Sequence, residues 1–371
     1  MTVAGALWLM IELPFLAIIA RALSLRLFFV FTVVVYHLAV SIIYYTYLGE
    51  HTDVDTYYYG ADYWQGSVIP GTQFIIAVVA VLKLIAEFSI FDLFLIFQSL
   101  GLVGILFIAS LLHSLRIEMD KFQISVATML FLPGLHFWSV AIGKDSVILF
   151  AVGMIIWSVK NVSGRWVWLA AGLCLSFMVR PHVGLVYGLA VAVALLFAIN
   201  QQRMAILAVL TLLFSAAPFA VPIVISGLGL ESIGANDLLL YVEKRQSYNL
   251  EGGSSIDIRE MPLWLKLFTF LFRPLFYDSA NLFGFVASME NSIVLLMVIY
   301  LLVSAKRALH LFVHDMLFRF CVFSTLSVWL MLALSTANIG IALRQKWMII
   351  PFLFVIIQML LVERRFKRPR A

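Results

Sequence analysis

The segment Leu27–Leu48 reads LFFVFTVVVYHLAVSIIYYTYL and contains no Asp, Glu, Lys or Arg. A helix needs about 20 mostly apolar residues to cross a bilayer, so this segment predicts a transmembrane helix. The composition is similar along the whole chain of 371 residues: 63% are hydrophobic, only 12% are charged, and the mean hydropathy is +1.04. A water-soluble domain needs more polar surface than this. We therefore predict an all-α polytopic integral membrane protein with one membrane domain, residues 1–371.

Eleven apolar runs qualify as membrane spans when their flanks are included. They are Ala6–Ala20, Leu27–Leu48, Leu93–Leu112, Ile124–Trp138, Val147–Val159, Val167–Val179, Val183–Ile199, Ala205–Ile225, Ile293–Ser304, Met316–Leu334 and Trp347–Val362. A further run, Phe74–Ala86, is shorter and contains Lys83, and we interpret it as a re-entrant or interfacial helix. The fold class is thus about 11 transmembrane helices, one such helix and a long outer loop.

The orientation follows from the basic residues, which favour the cytoplasmic side. Five of them crowd the last eight positions: Arg364, Arg365, Lys367, Arg368 and Arg370. This cluster indicates a cytoplasmic C-terminus facing anionic lipid rather than a nucleic-acid site. The other basic linkers fall on the same side only if Phe74–Ala86 does not cross. If that run does cross, the acidic segment after the second span turns inward.

The only long polar excursion between apolar runs is residues 227–290. We expect an outer loop that acts as a lid, because loops of this length are usually functional or disordered, and its many aromatic residues argue against disorder. Within it, Pro262–Phe276 has the pattern of an amphipathic helix lying at the membrane interface.

The densest polar segment follows the second span and reads HTDVDTYYYGADYW over His51–Trp64. Its carboxylates and aromatic rings suit a sugar site, since carboxylates bind or deprotonate hydroxyls and rings stack on a pyranose. The candidate residues are Asp53, Asp55, Tyr57, Tyr58, Tyr59 and Asp62. The alternative is an aromatic belt at the membrane edge with solvated carboxylates. A divalent cation at Asp53 and Asp55 is a weaker alternative, because two carboxylates alone make a poor metal site.

A second group of candidates consists of cations at predicted outer ends of spans, where positive charge opposes the usual bias. They are Lys144, Arg180, Arg273, and Arg344 with Lys346. A diphosphate would neutralise them, because guanidinium groups bind its oxygens in pairs and lysine adds a point charge. The alternative is contact with lipid phosphates, or internal pairing with Asp145, Asp278 and Glu290.

His182 stands beside Arg180 in the sequence Val179-Arg-Pro-His182 and is a candidate base for an acceptor hydroxyl. The ordinary interpretation of His136 and His182 is a hydrogen-bonded structural role. The glycine-rich nucleotide motifs, the nucleophile elbow and the zinc-protease motif are absent from the sequence. We therefore expect no cofactor and no ATP-driven transport.

Several short segments together resemble bacterial membrane proteins of surface-polysaccharide gene clusters. The segments are His51–Trp64, Leu132–Ser139, Gly143–Ser146, Val179–Gly184, Phe272–Pro274, Asn338–Gln345 and Pro351–Phe352. They are similar to Wzy-type O-antigen or capsule polymerases and to EpsG-like exopolysaccharide proteins, which belong to the membrane-embedded GT-C glycosyltransferases. One departure concerns Arg180, which is followed by Gly184 and Gly188 and not by the glycine after ten residues that many polymerases have.

The resemblance implies polymerisation of polyprenyl-diphosphate-linked repeat units on the outer face of the plasma membrane. It implies that Arg180, Arg273 and Arg344 hold the lipid diphosphate and that Asp53 or Asp55 serves as base, with both groups lining an outward cavity. The expected partners are the lipid-linked glycan, membrane lipids and other polysaccharide-assembly proteins, without nucleic acid. The alternatives are a GT-C enzyme adding one sugar from a polyprenyl phosphate, a flippase or exporter of lipid-linked glycan, and a non-catalytic scaffold.

Overall fold

A computed structural model of the chain describes residues 2–48, 53–116, 126–197, 240, 243–244, 246, 254–279 and 281–366. Over these residues all regular structure is helical, apart from one bridge between Ser255 and Asn338. The helices are α1 (Val3–Ala22), α2 (Leu27–Leu48), α3 (Asp53–Gly60), α4 (Thr72–Ile85), α5 (Ile90–Arg116), α6 (Pro133–Ser139), α7 (Lys144–Val159), α8 (Val162–Val179), α9 (Pro181–Leu196), α10 (Leu263–Phe272), α11 (Leu282–Val303), α12 (Ala305–His314), α13 (Met316–Ser335), α14 (Ile339–Gln345) and α15 (Ile350–Phe366). The prediction of an all-α chain is confirmed for this part.

Within the described residues, six helices are long and apolar enough to cross a membrane: α1, α2, α5, α8, α11 and α13. The number rises to eight if each of two bent pairs makes one span; α6 and α7 meet at 115°, and the α14 region meets α15 at 51°. The chain is therefore a multi-pass membrane protein. The count of eleven stays a prediction, and the expected span Ala205–Ile225 lies outside the described residues. Helix α4, with 14 residues, covers the ambiguous run and is too short to count among the six.

The run Ile124–Trp138 differs from the expected span. Its described part consists of a 3-10 segment, Val126–Phe131, followed by the short helix α6. The break falls at Leu132, which has extended backbone angles and precedes Pro133. A residue before proline is disfavoured in the helical region, and proline fits best in the first turn of a helix, where its missing N–H group costs nothing. Proline therefore ends one segment and starts the next, despite uninterrupted hydrophobicity.

The predicted outer loop ends earlier than residue 290, because α11 begins at Leu282. The Asn281 side chain accepts a hydrogen bond from the Gly284 amide at 2.8 Å and caps this helix. Glu290 is consequently a buried residue of α11 and not a loop residue. Within the predicted interfacial segment the structure has the shorter helix α10, whose C-terminal residues Phe270–Phe272 are buried.

The chain divides into two compact units, of which the first comprises Met1–Ile117 and Ala127–Gly184. Helix α5 is its centre, and it is buried along most of its length against α1, α2 and α7. Two glycines allow the main chains of α5 and α7 to come into contact. A methyl group on Gly104 would lie 2.6 Å from the Leu149 carbonyl oxygen, and a methyl group on Gly153 would lie 2.4 Å from the Gly104 carbonyl oxygen. Small residues of this kind let membrane helices pack closely.

The second unit comprises Glu118–Val126 and Leu185–Ala371. In its described part α13 packs against α10 and α15, and the Trp329 indole donates to the Leu267 carbonyl at 3.0 Å. Tyr187 is fully buried there, and its hydroxyl donates to the Met348 carbonyl at 2.8 Å. The expectation of a single membrane domain stays a prediction.

We predict that Gly104→Ala and Gly153→Ala each lower the melting temperature of the purified protein. The added methyl would press on main-chain atoms that cannot rotate away, and overpacking of this kind costs about 1–3 kcal/mol. The control is Ala171→Val, which adds methyl groups at an exposed position of α8. Equal melting temperatures for the glycine variants and the control would contradict the close packing of α5 on α7.

Candidate functional site

The acidic and aromatic segment after α2 folds into the short helix α3, which begins at Asp53. Asp53 and Asp55 lie in its first turn, where negative charge complements the helix dipole. Asp53 is exposed and Asp55 is half-buried. The tyrosines differ: Tyr57 is 3% exposed, whereas Tyr59 is 54% exposed. Of the three rings, Tyr59 is thus the most accessible to a ligand, and Tyr57 is part of the packing.

Tyr57 packs on the turn that starts α7. A Cβ built on Gly143 would lie 3.1 Å from the Tyr57 ring, and Gly143 has a φ of +153°, which glycine adopts more easily than other residues. The next residue, Lys144, is the first of α7 and donates from Nζ to the Thr72 hydroxyl at 2.8 Å. The sequence analysis treats His51–Trp64 and Gly143–Ser146 as separate segments, and the structure brings Tyr57 of the first against Gly143 of the second.

Arg180 lies between α8 and α9 and contacts the same region at the start of α7. It precedes Pro181 and has non-helical backbone angles, which end α8. Its Nη2 atom contacts Asp145 Oδ1 at 2.9 Å, and both side chains are only 12% exposed. Asp145 thus pairs with an arginine 35 residues away and not simply with the neighbouring lysine. The alternative of internal pairing, raised from the sequence, holds for this arginine.

One polar atom of Arg180 stays unsatisfied. Its Nε is buried and has no hydrogen-bond partner among the described residues. Arginine carries five N–H donors in a planar fork, so one carboxylate oxygen does not satisfy it. A buried donor without a partner costs about 1–3 kcal/mol, and an additional acceptor at this position would remove the cost.

A main-chain contact completes the arrangement. The amide of Gly71, directly before α4, donates to the Met178 carbonyl near the end of α8 at 2.8 Å. The start of α4, the start of α7 and the end of α8 therefore meet. We call their side chains Thr72, Lys144, Asp145 and Arg180 the polar cluster. His182 is half-buried and stands two residues beyond Arg180.

The polar cluster favours an anion. Lys144 and Arg180 give two positive charges against the one negative charge of Asp145. Lys144 also occupies the first turn of α7, where the helix dipole is positive and backbone N–H groups are available. A phosphate oxygen near the Arg180 guanidinium would meet all of these features together.

Asp62 and Tyr58 make contacts elsewhere on α4. Asp62 forms an ion pair with Lys83, and the Lys83 ammonium lies 4.1 Å from the centre of the Tyr58 ring. Lys83 follows Thr72 by eleven residues, which corresponds to roughly 16 Å along the helix. Asp62 and Tyr58, both predicted to contact sugar, thus interact with Lys83 near the C-terminal end of α4.

Arg273 and Arg344 belong to the second unit. Arg273 binds Asp278 with two hydrogen bonds, Nε–Oδ2 at 3.0 Å and Nη2–Oδ1 at 2.5 Å. These bonds lower the pKa of Asp278, and partial burial opposes them. Arg273 therefore has an internal carboxylate partner. Arg344 is half-buried in the last turn of α14.

A buried network near Arg273 escaped the sequence analysis. Lys346 is 1% exposed and donates to the Asn291 side chain, which in turn donates to the Pro274 carbonyl at 2.8 Å. The sequence treats Lys346 as an outer cation beside Arg344. The signal that could have indicated its burial is the polar pair Glu290–Asn291 inside an otherwise apolar run.

No family model, curated protein or solved structure matches this chain. The candidate site therefore depends on its own geometry. As for metal ions, no group of three or more His, Cys, Asp or Glu side chains is suitably placed within the described residues.

We predict that Asp145→Asn strongly destabilises the protein. The change leaves the largely buried Arg180 without its carboxylate, and breaking a buried pair from one side costs about 3–5 kcal/mol. Chemical unfolding of the detergent-solubilised protein would measure it.

The matched control is Asp257→Asn, which removes the carboxylate partner of Arg259 in a pair that is 52–61% exposed. Exposed pairs contribute little, so this variant should unfold like the wild type. If the two variants have the same free energy of unfolding, the ion pair of Asp145 and Arg180 does not stabilise the protein.

Proposed function

We propose that this chain is a membrane glycosyltransferase that polymerises polyprenyl-diphosphate-linked oligosaccharide repeat units on the outer face of the bacterial plasma membrane. The observation that supports it most is the polar cluster, in which a largely buried, partly unsatisfied arginine and a lysine lie at the start of a helix in a membrane protein. This arrangement suits the phosphate oxygens of a lipid-linked donor.

In the proposed reaction an acceptor hydroxyl attacks the anomeric carbon of the donor glycan. The new C–O bond forms as the bond between this carbon and the diphosphate oxygen breaks. The hydroxyl proton passes to a base, and the lipid diphosphate leaves with the electron pair of the broken bond. Asp53 or Asp55 is the proposed base, with His182 as a further candidate.

Lys144 and Arg180 would stabilise the charge that develops on the departing diphosphate. Diphosphate is a good leaving group, so positioning and charge stabilisation should contribute more to the rate than proton transfer. Arg273 and Arg344 are proposed as further phosphate contacts. For Arg273 this requires exchange of the Asp278 carboxylate for a phosphate, because that carboxylate already occupies two of its donors.

The exposed ring of Tyr59 is the proposed sugar-stacking surface, and Tyr58 and Asp62 would contribute at its edge. Tyr57 would act indirectly by supporting Gly143 and therefore the position of Lys144. No step of the proposal requires a metal ion.

A second candidate function is a flippase or exporter of the lipid-linked glycan. The candidate cations at span ends, such as Lys144 and Arg180, argue against transport, because secondary transporters usually carry ionisable groups near the bilayer midplane. The structure, however, buries Glu12 and His37 within two of the helices long enough to cross a membrane, and His136 in the short helix α6. Ionisable groups in such positions are common along transport pathways. This observation keeps the exporter as a candidate. A transferase of a single sugar from a polyprenyl phosphate is less favoured, because it would need fewer phosphate contacts than the polar cluster offers.

The deciding experiment is complementation of a strain that lacks this gene, with gel separation of its lipid-linked and surface polysaccharide. We expect the deletion strain to accumulate single repeat units and the wild-type gene to restore long chains. Arg180→Lys should lower the yield of long chains about 10²-fold or more, because lysine loses the planar fork that binds phosphate oxygens.

Arg259→Lys is the control, since it changes an exposed arginine outside the polar cluster. The amount of protein in the membrane fraction must be equal for the two variants. Truncated repeat units in the deletion strain would indicate a single-sugar transferase, and finished polymer retained inside the cell would indicate an exporter. Unchanged chain yield with Arg180→Lys would contradict the role of Arg180.

A further inference from the structure

Two histidines of the first unit face each other away from the polar cluster. His37 lies on α2 and His136 on α6, and neither has any exposed surface. Their Nδ1 atoms are 2.8 Å apart, which is hydrogen-bond distance. The proposed function uses neither residue.

The other ring nitrogens determine how many protons the pair holds. His37 Nε2 lies 3.0 Å from the Gln98 carbonyl oxygen, and His136 Nε2 lies 2.7 Å from that of Leu130. A carbonyl oxygen can only accept, so both Nε2 atoms must carry a proton. A neutral imidazole has a single N–H group. If both rings were neutral, neither Nδ1 atom would carry a proton. Two lone pairs would then face each other, and no hydrogen bond could form between the rings.

One additional proton resolves this conflict. Placed between the Nδ1 atoms, it makes one ring an imidazolium that donates to the other ring. A second additional proton would bring two N–H groups and two like charges together. The geometry therefore fits a pair with three protons on its four nitrogens, and neither two nor four.

A carboxylate is available to balance this charge. Glu12 on α1 is 3% exposed, and the Gln98 amide donates to its Oε1 at 2.6 Å. Gln98 therefore connects the two groups, because its main-chain carbonyl accepts from His37. A buried charge is costly without a partner of opposite sign, and Glu12 is the carboxylate that Gln98 connects to the pair.

Other titratable side chains of the neighbouring helices have contacts of their own. The Tyr36 ring lies 4.6 Å from that of His136, centre to centre. Asp92 stands at the start of α5 and accepts hydrogen bonds from Thr2 and Ser89. In the described part of α1, α5 and α6, Glu12 is thus the carboxylate linked to the pair through Gln98.

A metal ion does not fit the same geometry. Imidazole nitrogens bind zinc at about 2.0–2.1 Å, which separates two nitrogens by about 3.3 Å at a tetrahedral angle. The observed 2.8 Å is shorter, and the described residues offer no group of three ligands.

We propose that His37 and His136 form a proton-binding site that holds one proton between their Nδ1 atoms, with the Glu12 carboxylate as its counter-charge. The site joins α2 to α6 directly and to α5 through Gln98. Loss of the proton at high pH, or gain of a second at low pH, would make the contact repulsive and loosen these helices. The first unit is therefore most stable while the pair holds a single shared proton.

The test is ¹⁵N NMR of the full chain in lipid bilayers, with labelled histidine. The chain has seven histidines, so the pair is isolated by replacing His51, His113, His182, His310 and His314 with Gln. If this variant does not fold, single replacements in the wild type identify the pair by difference. We expect two protonated Nε2 signals, and Nδ1 signals that share one proton and do not change across neutral pH.

In the wild-type chain His310 and His314 are the comparison, because their rings are 4.6 Å apart but His314 Nδ1 lies 2.8 Å from the His310 carbonyl oxygen, so no proton shared between two Nδ1 atoms is expected there. Two neutral rings with bare Nδ1 atoms, two imidazolium rings, or a spectrum that changes when a chelator is added would each overturn the proposal. A melting temperature of the wild type that falls at both low and high pH, and a weaker dependence in His136→Phe, would support it independently.

Discussion

The ion pair between Arg180 and Asp145 is the interaction on which the candidate site depends. In apolar surroundings a charge that is removed from water must find its partner within the protein. The pair meets this requirement and at the same time holds the end of α8 against the start of α7. Lys144 and the start of α4 are positioned by the same contact region, so a ligand for one of these groups meets the others as well.

The same requirement explains the rest of the first unit. Asp92 accepts hydrogen bonds from Thr2 and Ser89 near the starts of α1 and α5, and Glu12 binds Gln98 and Ser99. Each buried polar group links two helices that apolar packing alone would leave free to slide. Dispersion and close contact at Gly104 and Gly153 supply the remaining specificity between α5 and α7.

Hydrophobicity predicted the helices well where no proline intervened. Leu27–Leu48 forms a helix with the predicted bounds, because length and composition suffice for a simple span. Ile124–Trp138 does not, since Pro133 acts through main-chain geometry that a hydrophobicity count ignores. The candidate residues Lys144 and Arg180 were found as cations at predicted span ends. Their common location, and the choice of Asp145 as the arginine's partner, depend on contacts between residues far apart in sequence.

Buried polar residues inside apolar runs were the least predictable feature. His37 and Glu12 stand alone in apolar runs and Lys346 follows Arg344, and only the folded chain shows the hydrogen-bond partners of all three. A single polar residue within a span is therefore a better indication of a polar network than its isolation suggests.

The most direct test of the account is the binding of a polyprenyl diphosphate and of the corresponding monophosphate to the purified chain in lipid nanodiscs. Charge-assisted hydrogen bonds contribute about 1.5–3 kcal/mol each, so we predict that the diphosphate binds at least about tenfold more tightly. Arg180→Met should remove this preference, whereas Arg259→Met should retain it. Equal affinity for the two lipids, or a preference that survives Arg180→Met, would contradict the assignment of the polar cluster as the diphosphate site.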